Sequence, residues 1–312
     1  MKFIKPNFWD KVNLFSVALY PLSLLFIFII FLRKKLSTVR TFKIPIICVG
    51  NIYLGGTGKT PLSIYIAKEL LKTGAKPIIL RKFYKSHSDE YNLIKNKFNN
   101  LLVNKNRIDA LNELNNSNYD IVILDDGLQD YKIKIDLKIV CFNQNQLIGN
   151  GFVLPAGPLR EGLDALKETQ IVIINGVRDE KFEKKLLMIN KNLEIYYSYY
   201  KPTNLEEFAD KRLYAIAGIG NPENFFQTIE KNNLKIEKKL IFPDHYQFSK
   251  KEVENILNEA ERKNYQIVTT EKDYYKIKHF NLNKIKYLKV NLVIDNQDRL
   301  MRRINKFHYE SN

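Results

Sequence analysis

The chain has 312 residues, of which 45% are hydrophobic and 27% are charged, and its formal net charge is +16. This length and composition are ordinary for a globular protein with one large domain or two modest ones. The two cysteines, Cys48 and Cys141, lie in apolar runs, which excludes a disulfide framework and indicates buried thiols in a reducing compartment. The charge indicates an anionic partner, although a general bias toward Lys and Asn would produce the same excess.

The first predicted element is an uncharged apolar segment at residues 14–32, which is followed by Arg33, Lys34 and Lys35. A helix needs about 20 apolar residues to cross a bilayer, so this segment is just long enough. Pro21 could instead kink the helix and leave it in the interface, and a buried core helix is a further alternative. A signal peptide is disfavoured because no small-residue cleavage site precedes the basic cluster. That cluster predicts that the body of the protein stays on the cytoplasmic side.

A glycine-rich segment at residues 50–61 follows the apolar run 44–49 and precedes apolar residues at helical spacing. A strand, a glycine loop and a helix are the context that a phosphate-binding loop requires. Backbone N–H groups and the start of the helix can bind phosphate oxygens, Lys59 supplies an ammonium group, and the Thr60 hydroxyl can ligate Mg²⁺. The predicted nucleotide-binding residues are Tyr53, Leu54, Gly55, Gly56, Thr57, Gly58, Lys59 and Thr60.

One position of this loop departs from the strict pattern, which has a glycine where this chain has Tyr53. Gly55 and Gly56 are expected to supply the flexibility instead. The alternative is a glycine-rich turn that binds no nucleotide, and the Lys-Thr pair at the start of the helix argues against it.

Beyond the loop, predicted strands alternate with predicted helices. The strands are at 76–80, 121–124, 137–142, 171–174, 213–217 and 265–269, and the helices are at 107–115, from Pro222, and at 249–263. This alternation predicts an α/β fold with a P-loop NTPase-like parallel sheet that has helices on both faces. Ligands are then expected at the carboxyl ends of the strands.

A change in charge and Tyr content near residues 177–205 indicates a domain boundary. We therefore predict an N-terminal membrane-associated helix with its basic flank at 1–40, a P-loop domain at 41–200 and a smaller second α/β domain at 201–312. The Asn-rich residues 96–106 are predicted to be a loop.

Two aspartates, Asp125 and Asp126, come directly after the predicted strand 121–124. Mg²⁺ beside a phosphate loop is held by one or two carboxylates together with phosphate oxygens and water. The alternative is a pair of turn aspartates in which Gly127 completes the turn. The neighbouring phosphate loop favours the metal site.

Six motifs, in the same order along the chain, resemble those of the tetraacyldisaccharide 4'-kinases, the lipid A kinases of Gram-negative bacteria. They are GNIYLGGTGKTP at 50–61, DDGLQ at 125–129 with IDLKIV after it, LPAGPLRE at 154–161, AIAGIGNP at 215–222, PDHYQF at 243–248 and TTEKD at 269–273. One such string is weak, but six in the family's order are highly specific. The resemblance extends from the N-terminal apolar segment to Asp273.

The resemblance implies a membrane-associated kinase that uses ATP and Mg²⁺. It would phosphorylate the 4'-hydroxyl of a tetraacyldisaccharide 1-phosphate in lipid A biosynthesis. The implied partners are this acylated disaccharide lipid and an anionic membrane surface, with no nucleic acid, and we expect a monomer. The implied location is the inner membrane, with the catalytic body on the cytoplasmic side.

The resemblance also implies roles for single residues. The Asp of the family's Gly-Asp-Glu-Pro motif, which serves the attacking hydroxyl, matches Asp89, and the histidine that works with it matches His245. The catalytic candidates are Lys59, Asp89, Arg160 and His245, and the metal candidates are Thr60, Asp125, Asp126 and Glu161. Arg160 is expected to stabilise charge, and Glu161 to support the metal or the substrate. If Asp89 and His245 meet, we expect them to do so across a cleft between the two α/β units, so that catalysis depends on closure.

Three departures from the family's pattern concern the acceptor more than the nucleotide. Residues 80–84 read LRKFY where the family has Ser-Arg-Gly-Tyr-Gly, and the short segment from there to Asp89 predicts a smaller lid over the acceptor. The family's histidine after Asp-Asp-Gly-x-Gln is Asp130 here. The glycine and the proline of Gly-Asp-Glu-Pro are missing.

The rival interpretation is a membrane-tethered P-loop NTPase switch that recruits a partner. The loop, the aspartates and the apolar segment fit such a switch equally well, but the motifs of the second half are then unexplained. The sequence has no Asn-Lys-x-Asp string of the kind that reads a guanine base. A nucleic-acid binder would rest on the net charge alone.

Overall fold

The computed structural model describes residues 5–85, 87–280 and 284–311, and within them the chain forms two compact units. The larger unit contains Lys5–Phe83, Phe98–Tyr199 and the C-terminal residues from Ile294 onward. The smaller unit contains Tyr84–Lys97 and Tyr200–Val293.

The part of the chain that the structure describes contains nine α-helices and twelve β-strands. The helices are α1 (Leu14–Lys35), α2 (Lys59–Lys72), α3 (Ser88–Lys97), α4 (Arg107–Leu114), α5 (Glu180–Ile189), α6 (Pro222–Lys231), α7 (Lys250–Arg262), α8 (Glu271–Ile277) and α9 (Gln297–Ser311). The strands are β1 (Ile46–Gly50), β2 (Pro77–Lys82), β3 (Leu101–Asn104), β4 (Ile121–Asp125), β5 (Leu137–Asn143), β6 (Ile171–Asn175), β7 (Glu194–Pro202), β8 (Leu213–Ala217), β9 (Ile236–Ile241), β10 (Gln266–Thr270), β11 (Ile285–Leu288) and β12 (Val290–Ile294).

The larger unit is built on a parallel sheet with the strand order β7-β6-β5-β1-β4-β2-β3. Its central strand, β1, is buried along its whole length, which is why its sequence is a continuous apolar run. The buried residues of α4 pack with Ile46 and Cys48 of β1, whereas those of α5 pack with Phe142 of β5. Helix α2 packs against β1, β2 and β4. The predicted α/β fold with a P-loop-type parallel sheet is therefore confirmed.

Helix α1 is apolar and long enough to cross a membrane, and only 11% of its most apolar stretch is buried. Such exposure is inconsistent with the alternative of a core helix. The helix begins with a capping box, in which Asn13 and Ser16 satisfy each other's backbone N–H groups, and it continues through Pro21. Its buried face is polar: the Ser23 hydroxyl donates to the Val153 carbonyl at 2.7 Å and accepts from the Ala156 N–H at 3.0 Å.

The smaller unit contains a four-stranded parallel sheet with the order β11-β10-β8-β9. The side chains of α6 pack with β8 on one core, and those of α7 pack with Tyr214 and Ile216 of β8 on another. Helix α3 packs against α8, and Lys97 Nζ lies 2.5 Å from Glu271 Oε2.

The units differ from the predicted boundaries in two places. Residues 84–97 lie inside the range predicted for the P-loop domain, 41–200. They belong to the smaller unit instead, because α3 packs on α8. The residues from Ile294 onward belong to the larger unit, because α9 packs on α2. Both are long-range contacts, which a change in local composition does not indicate.

The loop predicted at residues 96–106 contains the end of α3 and all of β3, so that prediction is wrong for Asn96, Lys97 and Leu101–Asn104. The strand pairs with β2 over four residues, from Ile79 opposite Leu101 to Lys82 opposite Asn104. The apolar run of Leu101, Leu102 and Val103 forms an edge strand despite its Asn-rich flanks.

Candidate functional site

The glycine-rich loop connects β1 to α2, as predicted. Gly58 stands at the N-cap of α2 with φ of 95°, a left-handed conformation that a side chain would strain. The LPAGPLRE segment supports the loop, because Leu54 N–H donates to the Pro158 carbonyl at 2.8 Å and Arg160 N–H donates to the Ile52 carbonyl at 2.7 Å. The loop is thereby held against a second turn of the chain by backbone hydrogen bonds.

Tyr53, at the position where the strict pattern has glycine, is buried in the core of the larger unit with Ile52 and Phe142. Its side chain therefore packs away from solvent, and the flexible positions of the loop fall at Gly55 and Gly58, both of which have positive φ. The departure at Tyr53 is explained by packing.

Asp125 ends β4 and is completely buried. Its carboxylate accepts hydrogen bonds from the Thr60 hydroxyl at 2.9 Å and the Ser63 hydroxyl at 3.2 Å, and it forms an ion pair with Arg81. Arg81 Nη1 also donates to the Thr60 hydroxyl at 2.9 Å. Asp125 thus ties the start of α2 to β2, with its charge compensated by a buried guanidinium.

Asp126 is the first residue after β4, and its backbone is left-handed with φ of 61°. Its carboxylate lies 3.0 Å from Arg160 Nη1 and 3.8 Å from Lys59 Nζ. Burial alone would raise the pKa of this carboxyl, but the positive charges of Lys59 and Arg160 outweigh it and lower the pKa to about 2. The residue is therefore ionised at neutral pH. Such strained backbone conformations concentrate at functional sites.

Arg107 holds the main chain of this turn. Its Nη2 donates to the Asp125 carbonyl at 3.2 Å and to the Asp126 carbonyl at 2.7 Å. Its Nη1 lies 3.5 Å from the carboxylate of Asp130, the residue that replaces the family's histidine. The carboxylate of Asp130 therefore compensates the positive charge of Arg107.

Glu161 is tied to the DDGLQ motif by side-chain hydrogen bonds. Gln129 Nε2 donates to one oxygen of Glu161 at 2.5 Å, and the Tyr131 hydroxyl donates to the other at 3.3 Å. Burial raises the pKa of Glu161 above its ordinary value. Gln129 also accepts from Arg160 at 3.4 Å, so the DDGLQ and LPAGPLRE motifs share one polar network.

The oxygen donors at this end of the sheet fit Mg²⁺. Thr60 Oγ1 and Asp125 Oδ2 are 2.9 Å apart and share the Arg81 guanidinium, so the partly exposed Asp126 carboxylate is the donor more open to an ion. Hydroxyl and carboxylate oxygens are the ligands that this ion takes beside phosphates. The metal roles of Thr60, Asp125, Asp126 and Glu161 stay predictions.

Asp89 and His245 meet within the smaller unit. Asp89 lies in the first turn of α3, and its two carboxylate oxygens are each 3.2 Å from His245 Nδ1. His245 has a left-handed backbone with φ of 56°. The expectation that the pair meets across a cleft between two units differs from the structure, because the segment with α3 belongs to the same unit as His245.

Two lysines of α8 surround the buried Asp89 carboxylate, since Lys272 Nζ and Lys276 Nζ each lie 3.5 Å from Oδ2. Burial of Asp89 acts to raise its pKa, but the hydrogen bond from His245 and the two ammonium groups lower it to about 2. Lys272 also contacts Glu90 at 3.2 Å and Asp244 at 3.0 Å, and these carboxylates raise its pKa despite its burial.

The TTEKD motif positions these lysines. Asp273 accepts from the Gly218 N–H at 2.8 Å and from the Thr270 hydroxyl at 2.7 Å, and Lys276 Nζ binds Asp273 at 2.8 Å and the Gly218 carbonyl at 3.0 Å. The motif therefore joins the AIAGIGNP turn to α8. This motif is recognised in the sequence only by its resemblance to the family, and no role is predicted for Lys272 or Lys276.

Comparisons with known proteins agree with these motifs. The model of the family described as Tetraacyldisaccharide-1-P 4'-kinase matches residues 15–308. A tetraacyldisaccharide 4'-kinase of Pelagibacter ubique is 41% identical over 99% of this chain and 99% of the relative. One from Rickettsia akari is 33% identical over 98% of both chains. The crystal structure of LpxK from Aquifex aeolicus in complex with ATP has the same fold, with a TM-score of 0.70 at 22% identity, over 94% of this chain and 99% of that one.

Proposed function

The chain belongs to the tetraacyldisaccharide-1-P 4'-kinase family, and from this premise we propose that it transfers the γ-phosphoryl group of ATP to the 4'-hydroxyl of a tetraacyldisaccharide 1-phosphate. The observation that carries the proposal is the hydrogen-bonded pair of Asp89 and His245 in a chain with a phosphate-binding loop. An acceptor hydroxyl needs a group that takes its proton, whereas a nucleotide switch does not.

The groups toward ATP are those of the larger unit. The backbone N–H groups at residues 53–60 and the start of α2 would bind the phosphates, and the Lys59 ammonium and the Arg160 guanidinium would stabilise charge that develops on the transferring phosphoryl group. Thr60, Asp125 and Asp126 would hold Mg²⁺, with Glu161 in support, and the chemistry that the ion would supply there is neutralisation of phosphate charge. Arg81 and Arg107 hold the two aspartates in place.

The groups toward the acceptor are those of the smaller unit. Asp89 is ionised at neutral pH, so it can hold a proton on His245 Nδ1 and orient the imidazole. The Nε2 nitrogen of His245 then takes the proton of the sugar hydroxyl, because the Asp89 side chain is fully buried, and the pair acts as one unit. Phosphoryl transfer depends mostly on positioning and charge, so a weak base is sufficient.

The lipid substrate is consistent with α1. Its exposed apolar surface and the basic residues Arg33, Lys34 and Lys35 in its last turn fit a helix that attaches the protein to an anionic membrane. We place the catalytic body on the cytoplasmic face of the inner membrane, where ATP is available, and propose that it works there as a monomer.

The proposal is tested by incubating the purified, detergent-solubilised protein with γ-labelled ATP and a tetraacyldisaccharide 1-phosphate. Transfer of label to the lipid is expected, and an acceptor that already carries a blocked 4'-hydroxyl serves as the control because it should gain none. Release of labelled phosphate without any labelled lipid would support the rival NTPase switch instead.

A further inference from the structure

We propose that His87, Glu90 and His245 form a binding site for a transition-metal dication of the zinc type, and that occupation of this site inhibits the kinase. Metal binding stands on the geometry of these residues alone, whereas the inhibition rests on the proposed function. All three residues belong to the smaller unit and lie at the start of α3 and in the PDHYQF turn.

The three side chains converge. One ligand atom from each residue lies within 4.8 Å of the others, and His87 Nδ1 is 3.4 Å from Glu90 Oε2. The two imidazole rings are stacked, with centroids 4.1 Å apart and an angle of 3° between the planes. Two imidazoles and one carboxylate are the protein ligands of many zinc sites. The rings must tilt out of the stack for both nitrogens to reach one ion at about 2.0 Å.

The contact between Asp89 and His245 prepares the histidine for metal binding. Because Nδ1 faces the Asp89 carboxylate, Nε2 is the nitrogen that remains for an ion. Histidines that bind metals commonly donate their other N–H to a carboxylate, which fixes the ring and makes the ligating nitrogen more basic. The arrangement that we propose for proton transfer is thus also one that favours a metal.

The charges around the cluster permit a cation. Lys272 contacts the Oε1 atom of Glu90, whereas His87 faces Oε2, so the lysine and the ion would use different oxygens. The carboxylates of Asp89 and Asp244 add negative charge close to His245, with Asp244 Oδ2 3.8 Å from its Nε2. Nitrogen donors distinguish this cluster from the oxygen donors near Thr60, which suit Mg²⁺.

Occupation would block His245 because the ion uses Nε2, the nitrogen left to face an acceptor. Phosphoryl transfer would then lose one member of the pair with Asp89, while nucleotide binding by the larger unit would be unchanged. A free zinc-type cation would therefore act as an inhibitor that does not compete with ATP.

The test measures Co²⁺ binding by its visible absorption, and Zn²⁺ displacement of Co²⁺, in the nucleotide-free, detergent-solubilised full chain. His87→Ala is the test variant, and His279→Ala, an exposed histidine of the same unit, is the matched control. We expect wild type and the control to bind one ion, and the test variant to bind at least about ten-fold more weakly. Equal affinity in wild type and His87→Ala would overturn the site.

Kinase assays with excess Mg²⁺ and increasing Zn²⁺ then test the inhibition. Each inhibition curve is normalised to the metal-free activity of the same variant, because His87 stacks on His245, and His87→Ala is expected to need at least about ten-fold more Zn²⁺ for half-inhibition. Binding of Zn²⁺ without inhibition would overturn the link to His245. If the chain has no kinase activity at all, the Co²⁺ spectrum still decides the metal site.

Discussion

His245 Nδ1 lies 3.2 Å from both carboxylate oxygens of Asp89, although the two residues are 156 positions apart in sequence. The contact is made inside the smaller unit, so the pair is formed without any movement of one unit against the other. We therefore expect the fold of that unit to set the geometry of the pair. Lys272 and Lys276 compensate the negative charge of Asp89.

The first prediction concerns this pair. Asp89→Ala and His245→Ala should each lower kcat strongly and leave ATP affinity nearly unchanged, because neither residue belongs to the phosphate-binding loop. The double variant should lose little more than the worse single variant, since the two residues work as a unit. Initial rates and ATP titrations measure both effects. Fully additive losses would show that the residues act separately, and an unchanged kcat in Asp89→Ala would show that another carboxylate, such as Glu90, fills the role of Asp89.

The second prediction concerns stability at low pH. Because the folded-state pKa of Asp89 is about 2 and its ordinary value is 3.8, the unfolded chain binds the proton first as pH falls. The stabilisation, of roughly 2 kcal/mol, is complete above about pH 5 and is mostly lost as pH falls toward 2. Denaturant unfolding of wild type and Asp89→Asn at several pH values should give a stability difference that shrinks across this window. A difference independent of pH would contradict the lowered pKa.

The third prediction concerns Lys59. Replacement by Ala should remove most turnover, since the ammonium stabilises charge on the transferring phosphoryl group. Lys68→Ala is the matched control, because Lys68 is an exposed lysine on the same helix, α2. Turnover and unfolding temperature should be measured for both variants. Near-normal activity of a folded Lys59→Ala protein would remove the loop from the reaction.

The fourth prediction separates the two aspartates. Asp125→Asn should destabilise the fold by about 3 kcal/mol or more as well as lower activity, because it leaves the Arg81 guanidinium buried without its counter-charge. Asp126→Asn should lower kcat and shift the Mg²⁺ dependence with a smaller change in stability, because its carboxylate is partly exposed.

The control for both aspartate variants is Asp164→Asn, whose side chain is 83% exposed. Denaturant unfolding and rates across a Mg²⁺ titration distinguish the effects. Wild-type rates for both Asp125→Asn and Asp126→Asn at every Mg²⁺ concentration would mean that the aspartates have only a structural role.

The fifth prediction concerns α1. Deletion of residues 1–32 should release the protein from membranes and impair activity on vesicle-borne lipid more than ATP binding. Because the deletion also removes the Ser23 hydrogen bonds, Leu25→Lys with Phe28→Lys is the sharper variant, since both side chains are more than half exposed. Met188→Lys on α5 is the control. A truncated protein that still sediments completely with vesicles would assign the attachment to the basic body.

The sequence was sufficient for the features that local patterns encode. The apolar run before Gly50, the glycines of the loop and the aspartates after 121–124 predicted β1, the phosphate-binding loop and the end of β4, and the structure has each of these. These elements follow from burial on both faces of a parallel strand and from the backbone freedom of glycine.

Contacts between residues far apart in the chain could not be predicted from the sequence. Arg81 and Lys276 are cations of a residue type that is usually exposed, and their ion pairs with Asp125 and Asp273 help to explain why they are buried. The contact of α3 with α8 likewise assigns Asp89 to the smaller unit, although the chain enters this segment directly from β2. No spacing or periodicity within 84–97 encodes that partner.

The hydrogen bonds of Ser23 have a consequence for the position of the basic cluster at the end of α1. They fix both the rotation and the height of α1 on the Val153–Ala156 turn, because one residue of an α-helix advances about 1.5 Å and turns by about 100°. Because Ser23 is fixed, the distance along the helix to Arg33 is also fixed, at about 15 Å. Lengthening α1 by one residue between Ser23 and Arg33 would turn the basic cluster by about 100° around the helix axis, even though the composition of the helix would hardly change.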